Sequence, residues 1–283
     1  MDLKLIRRLV IVALFSDDKL MEKFVLKGGN ALSVIYDIGT RSSVDIDVSI
    51  SDDFTDLEDT ERRIFTKLSE RFATLDCVVF DQSFKPRPSK VRVGQSSRWG
   101  GYAVEFKIID RTTFENFKGD LDKLRRNAIT ISPQMHRTFK IDISKYEFCE
   151  PKLETELDDF TIYVYSLPMM AIEKLRAICQ QMPEYEQRGY QTRRARDFYD
   201  IHTIVTAGKF DIATPENAEL LRHIFEAKEV SLNLLGKIKD TKDFHSDDWE
   251  SVKQSITGEL EEFDFYFDFV VQIAERLKPF GIE

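Results

Sequence analysis

Cysteine is scarce. Cys77, Cys149 and Cys179 are the only three in 283 residues, far apart and without metal-ligand spacing, which argues against a secreted disulfide framework and suits a reducing compartment, each thiol being expected as a small buried hydrophobe. The four histidines, His136, His202, His223 and His245, show no metal-binding spacing either. No segment approaches the roughly twenty apolar residues that span a bilayer. The N-terminal stretch MDLKLIRRLVIVALFSDD imitates a signal peptide, but its apolar run from Leu9 to Phe15 is short and meets Asp17 and Asp18 with no small-residue cleavage site; an amphipathic first helix and a cytoplasmic location are expected. An excess of positive charge is also lacking. At a net charge of -9 the whole molecule has no general attraction for a nucleic-acid backbone or an anionic membrane, so any polyanion must be met by a local patch. Internal repeats and low-complexity tracts are missing as well. What is present is an ordinary globular balance, 32% charged and 42% hydrophobic, in a chain long enough to bury a core without disulfides or structural metal.

The first half mixes periods of two and 3.6, and the second is almost wholly helical in pattern. FVLKGG reads as a short strand ending in glycines, NALSVIYDI as a helix and SVDIDVSI as a strand. FTDLEDTERRIFTKLSERFA has helical spacing with acids early and arginine late, as the helix dipole favours. LDCVVFD and YAVEFKIID are strands, joined by a connection rich in proline and glycine that reads as a hairpin with a long, mobile tip; FKIDIS is a further strand. EPKLETELDDF reads as a linker, and IYVYS as a short strand leading into LPMMAIEKLRAICQQM, with Pro168 in the first turn and Ser166 as its cap. Helices RRARDFYDIHTIVTAG, closed by Gly208, then ENAELLRHIFEAK and ELEEFDFYFDFVVQIAERLK follow. The expectation is an α/β (α+β) fold, with a mixed-sheet domain over 1–150 and a helical bundle over 151–283.

Within VDIDVSI the alternation is strict: Val44, Ile46, Val48 and Ile50 point one way, Asp45, Asp47 and Ser49 the other. A half-exposed strand with a solvated polar face would show the same pattern. Two carboxylates about 7 Å apart along a strand repel one another, and become favourable together when a divalent cation lies between them. FKIDIS repeats the arrangement, Lys140, Asp142 and Ser144 opposing Phe139, Ile141 and Ile143. Beside the first strand, Asp142 would supply a third carboxylate, for which Glu105 in YAVEFKIID is the alternative. Gly28 and Gly29 stand between strand and helix, where free N–H groups and the absence of Cβ let a phosphate approach closely. Arg41 and Ser43 could contact phosphate oxygens, or be only a polar turn.

In order, KGGNAL, RSSVDID, KIDIS, EKLRA and RARDFYDI resemble the AbiEii/AbiGii family of abortive-infection toxins, within the polymerase-β-like nucleotidyltransferase superfamily. The resemblance runs from Gly28 to Asp200, about two-thirds of the chain. It implies a polymerase-β-like core with a C-terminal helical domain completing the active-site cleft. Asp45 and Asp47 would be metal ligands, with Asp142 the preferred third; Gly28 and Gly29 would hold the nucleotide phosphates, Lys174 would contact the triphosphate, and Asp197 would be a further essential acid. From the residues alone, Glu173, Lys174, Arg196, Asp197 and Asp200 could equally be ion pairs joining two helices.

The implied reaction is transfer of a nucleotide from an NTP, with Mg²⁺ or Mn²⁺ and release of pyrophosphate. The acceptor implied by the family is a tRNA end, in keeping with toxin–antitoxin systems and phage defence. Lys85, Arg87, Lys90, Arg92 and Arg98, with no acid between, form the expected RNA arm, aided by Arg188, Arg193 and Arg194, with Trp99 available for base stacking. Alternatives are a protein hydroxyl as acceptor, or a non-catalytic nucleotide-binding module. The aromatic and acidic run EEFDFYFDFVV reads as a core helix with one solvated face on which an antitoxin could dock.

Overall fold

The two periodicities separate into two units in the structure, a computed structural model that describes residues 2–38, 45–90, 96, 98–131, 136–187, 190–256 and 258–281. One unit takes the described residues of 1–35, 43–92 and 100–164; the other takes those of 36–42, 93–99 and 165–283.

In the first unit, among the described residues, seven strands form one mixed sheet: β1 (Val25–Lys27), β2 (Ile46–Ser49), β3 (Cys77–Arg87), β4 (Gly101–Asp110), β5 (Phe139–Ser144), β6 (Leu153–Leu157) and β7 (Phe160–Val164), in the order β3-β4-β5-β2-β1-β7-β6. The parallel pairs are β2 with β5 and β1 with β7; the others are antiparallel. Helices α1 (Leu3–Phe15), α2 (Asp18–Lys23), α3 (Gly28–Val34), α4 (Leu57–Ala73), α5 (Arg111–Asn116) and α6 (Leu121–Asn127) complete it. The apolar side of the sheet is buried through Ile46, Val48, Val104, Phe106 and Ile141, as strict alternation requires. The expected first helix forms, and its second half, Val10 to Phe15, is buried. Helix α4 follows its sequence signals, with Asp56 as cap accepting from the Asp59 N–H at 2.9 Å, Glu58 and Asp59 in the first turn and Arg71 in the last.

Three expectations are corrected. The stretch expected as a linker carries β6, which pairs with β7 from Leu153↔Val164 to Leu157↔Phe160. As a sheet edge it exposes Glu154 and Glu156, so its composition resembles that of a linker. The expected hairpin forms, but β3 continues to Arg87 through a bulge between Phe80 and Ser83, so the connection is strand from Gln82 to Arg87. Helices α5 and α6 occupy a region where no element was assigned from the sequence.

The second unit holds α7 (Leu167–Cys179), α8 (Ala195–Gly208), α9 (Pro215–Glu226), α10 (Lys242–Ser246), α11 (Trp249–Lys253) and α12 (Phe263–Leu277), with 3-10 helices at Leu232–Asp240 and Lys278–Phe280. Ser166 caps α7, accepting from the Met169 N–H at 3.3 Å, as its sequence suggests. Gly208 does not close α8; it is the last helical residue, and the left-handed position belongs to Lys209. A Cβ on Gly208 would lie 2.8 Å from both Leu167 and Phe210, so a side chain there would need those two to shift. Phe198 sits at the aromatic centre, with ring centroids 5.3 Å from Phe263 and from Phe267. The three cysteines are buried and form no disulfide. No helix among the described residues is long and apolar enough to cross a membrane.

Candidate active site

Cross-strand neighbours at the same register point to the same side of a sheet. On the polar side one row runs Lys27, Asp47, Asp142, Ala103 and Lys85, from β1 through β2, β5 and β4 to β3. Two of the carboxylates expected to converge are therefore register partners: Asp47 faces Asp142 across the parallel β2–β5 pair, while Asp45 lies just before β2. Glu105 lies a row away, opposite Lys140. Asp142, not Glu105, is the ladder neighbour of Asp47.

The glycine turn meets this row. Gly28 follows β1 directly with φ +71°, and a Cβ there would collide with Asp47 Oδ2 and lie 3.0 Å from its Cγ. An L side chain there would be strained in conformation and would force Asp47 to shift. Gly29 is the second residue of α3. Asn30, which the sequence reading passed over, is fully buried and donates from Nδ2 to the Asp45 carbonyl at 2.6 Å, fastening α3 to the start of β2. Arg41 and Ser43 lie outside the described residues.

Electrostatics divide the acids. Burial pushes the Asp45 carboxyl above its usual range; Lys140 and Arg87 oppose this, while Asp142 and Glu105 add to it. Asp142 is neutralised by two cations, one on each oxygen: Arg87 Nη1 at 2.8 Å and Lys140 Nζ at 2.6 Å. Among the described residues no three His, Cys, Asp or Glu side chains are grouped to hold a metal ion. The donor set nonetheless suits a hard divalent cation, since Asp45, Asp47 and Asp142 offer only oxygen and Asp142 is the register partner of Asp47. Arg87, expected on the RNA arm, is turned toward Asp142; neither its role there nor that of Lys140 was visible in the sequence.

The other expected basic residues are divided between the units. Lys85 and Lys90 are exposed in the sheet unit. Arg98 and Trp99 belong to the helical unit, where the Arg98 carbonyl accepts from Lys228 Nζ at 3.2 Å. Arg92 and Arg188 lie outside the described residues. Arg193 pairs with Asp247 at 2.8 Å.

The helical unit has its own charge cluster. Lys174 on α7 reaches Asp197 at 3.0 Å and Asp200 at 2.7 Å, both on α8, joining the two helices as the residues alone suggested. Burial pushes the Asp197 carboxyl up, but Lys174 and Arg194, the latter 3.3 Å away, hold it below the usual range. The Arg194 backbone N–H donates to His245 Nδ1 at 3.0 Å. His245 is fully buried, and its pKa falls to about 4, chiefly through desolvation.

A mixed sheet that sets a glycine turn against a carboxylate row is the frame of the nucleotidyltransferase class. The chain belongs to the nucleotidyl transferase AbiEii toxin family of type IV toxin–antitoxin systems, whose family model matches residues 10–269. No curated protein matches the sequence. Solved structures resemble it distantly. A candidate nucleotidyltransferase from Helicobacter pylori is 14% identical with a TM-score of 0.47, over 99% of this chain and 95% of that one. JHP933 from Helicobacter pylori is 16% identical with a TM-score of 0.45, over 98% and 92%. An antigenic nucleotidyltransferase-like protein from Paracoccidioides brasiliensis is 11% identical with a TM-score of 0.39, over 89% and 94%. At that distance the overlaps carry no residue-level information.

Proposed function

We propose that the chain is a metal-dependent toxin that transfers a nucleotide from an NTP to the acceptor end of tRNA in the cytoplasm, releasing pyrophosphate. The observation that carries this reading is the seating of Gly28 against the Asp47 carboxylate, with Asp142 the register partner of Asp47. Asp45, Asp47 and Asp142 are the carboxylates that would hold Mg²⁺ or Mn²⁺, which when bound would offset phosphate charge and favour ionisation of the acceptor hydroxyl. Gly28 and Gly29 leave the room that nucleotide phosphates need, and Arg41 and Ser43 follow in the same role. Lys174 contacts the triphosphate, and Asp197 serves as a further acid essential to transfer. Exposed Lys85 and Lys90 meet the RNA backbone. The chain's own contribution is chiefly orientation: Asn30 fixes the Asp45 backbone, and the β2–β5 ladder fixes Asp47 beside Asp142. An antitoxin is the protein partner that the family implies.

The test incubates purified protein with each labelled NTP, Mg²⁺ and either total tRNA or cell protein. Label is expected in tRNA, and Asp45→Asn or Asp47→Asn should lower transfer by about 100-fold or more at unchanged folding. Label in protein instead would move the acceptor to a protein hydroxyl. Label in neither would leave a nucleotide-binding module without catalysis.

A further inference from the structure

The two cations on Asp142 have no part in the proposed transfer, and their placement is specific. Lys140 lies two residues before Asp142 on β5, on the same side of the sheet. Arg87 comes from the end of β3, two strands away in the row of Gly101 and Ser144. It reaches Asp142 because Gly101 and Ala103 carry almost no side chain between them on β4. Each cation takes a different carboxylate oxygen, so both Asp142 oxygens on that face are occupied by positive charge. A divalent cation ligated by Asp142 competes with both for its charge and lone pairs. Either group, once released, is a cation on the same face, next to the phosphates that the metal brings in.

We propose that Arg87 and Lys140 are exchange partners of the site: they hold Asp142 in the metal-free protein, yield it to the divalent cation, and then bind the triphosphate. This rests on the reading of Asp45, Asp47 and Asp142 as metal ligands. Its signature is a pair of opposite shifts. Removing either cation exposes Asp142 and tightens metal binding, yet weakens triphosphate binding, whereas a merely structural ion pair would weaken both.

Mn²⁺ binding to the nucleotide-free protein is measured by electron paramagnetic resonance, and binding of inorganic triphosphate at saturating Mg²⁺ by calorimetry. Arg87→Gln and Lys140→Gln should each tighten Mn²⁺ about fivefold and weaken triphosphate by at least as much, the scale of one partly exposed ion pair. Lys85→Gln, which removes a cation on the same face that makes no ion pair with Asp142, should leave Mn²⁺ affinity within about twofold. Mn²⁺ affinity unchanged or weakened in both variants overturns the exchange, as does unchanged triphosphate binding. Asp47→Asn separates the two readings: if it leaves Mn²⁺ binding intact, the metal assignment itself fails, and if it abolishes binding while the two cation variants do not shift it, only the exchange fails.

Discussion

Gly28 carries two constraints at one Cα: a left-handed φ of +71° and a neighbour, Asp47, that occupies the space a side chain would need. Either alone would disfavour alanine by about 1–2 kcal/mol. Together they tie the turn to the carboxylate, because relief of the clash must move Asp47. Gly28→Ala is accordingly expected to lower thermal stability by about 1–3 kcal/mol and nucleotide transfer by more than about tenfold, with Mn²⁺ affinity falling in parallel. Calorimetry and single-turnover transfer check it; a variant that loses stability but keeps transfer would detach Gly28 from the chemistry.

Among the elements, Asp81 joins three. It sits in the β3 bulge at φ +52°, where it accepts from Lys107 Nζ on β4 at 2.6 Å and from Arg125 on α6 through Nε at 2.8 Å and Nη2 at 2.7 Å. The Arg125 guanidinium, with Lys107, outweighs burial and holds the carboxyl far below the usual carboxylate range. A depressed pKa means stability that is present above the unfolded value near 4 and lost as pH falls through the folded one. Asp81→Asn keeps the shape and tolerates the left-handed backbone. Solvent screening limits its cost to about 1–2 kcal/mol at pH 7, and the difference from wild type should vanish in strong acid. Denaturant unfolding at several pH values reads both.

Across the whole molecule, the two units are expected to differ in their response to acid. In the helical unit, burial lowers the pKa of His245 to about 4 and lowers that of His202. A histidine whose folded pKa is depressed contributes stability that is present above its unfolded value near 6.5 and lost as pH falls toward the folded one. For His245 that is about 3 kcal/mol between pH 6.5 and 4. The sheet unit's acid-sensitive contact at Asp81 persists until lower pH. Near-UV circular dichroism or hydrogen exchange should therefore show the helical unit loosening first on acidification. His245→Asn, whose Oδ1 can accept the Arg194 N–H in place of Nδ1, should flatten that slope; an unaltered slope would remove His245 as its source.

The strands and helices of the core were legible in the sequence because period-two alternation and helical spacing are local consequences of burying one face. FKIDIS became β5 over the whole of its length, and Ser166 capped α7 as its position suggested. The composition of β6 misled because a sheet edge and a linker are solvated alike. At the candidate site, strict alternation put Asp45, Asp47 and Asp142 on polar faces, and the glycines marked a turn. Sequence by itself thus determined which residue types face the core and which face away. Only the tertiary structure decided which polar residues meet: Asp142 beside Asp47 rather than Glu105, Gly28 against Asp47, Arg87 turned to Asp142, and Lys174 between two aspartates. Register between strands distant in sequence is set by the packing of the whole sheet, and no local pattern of residues records it.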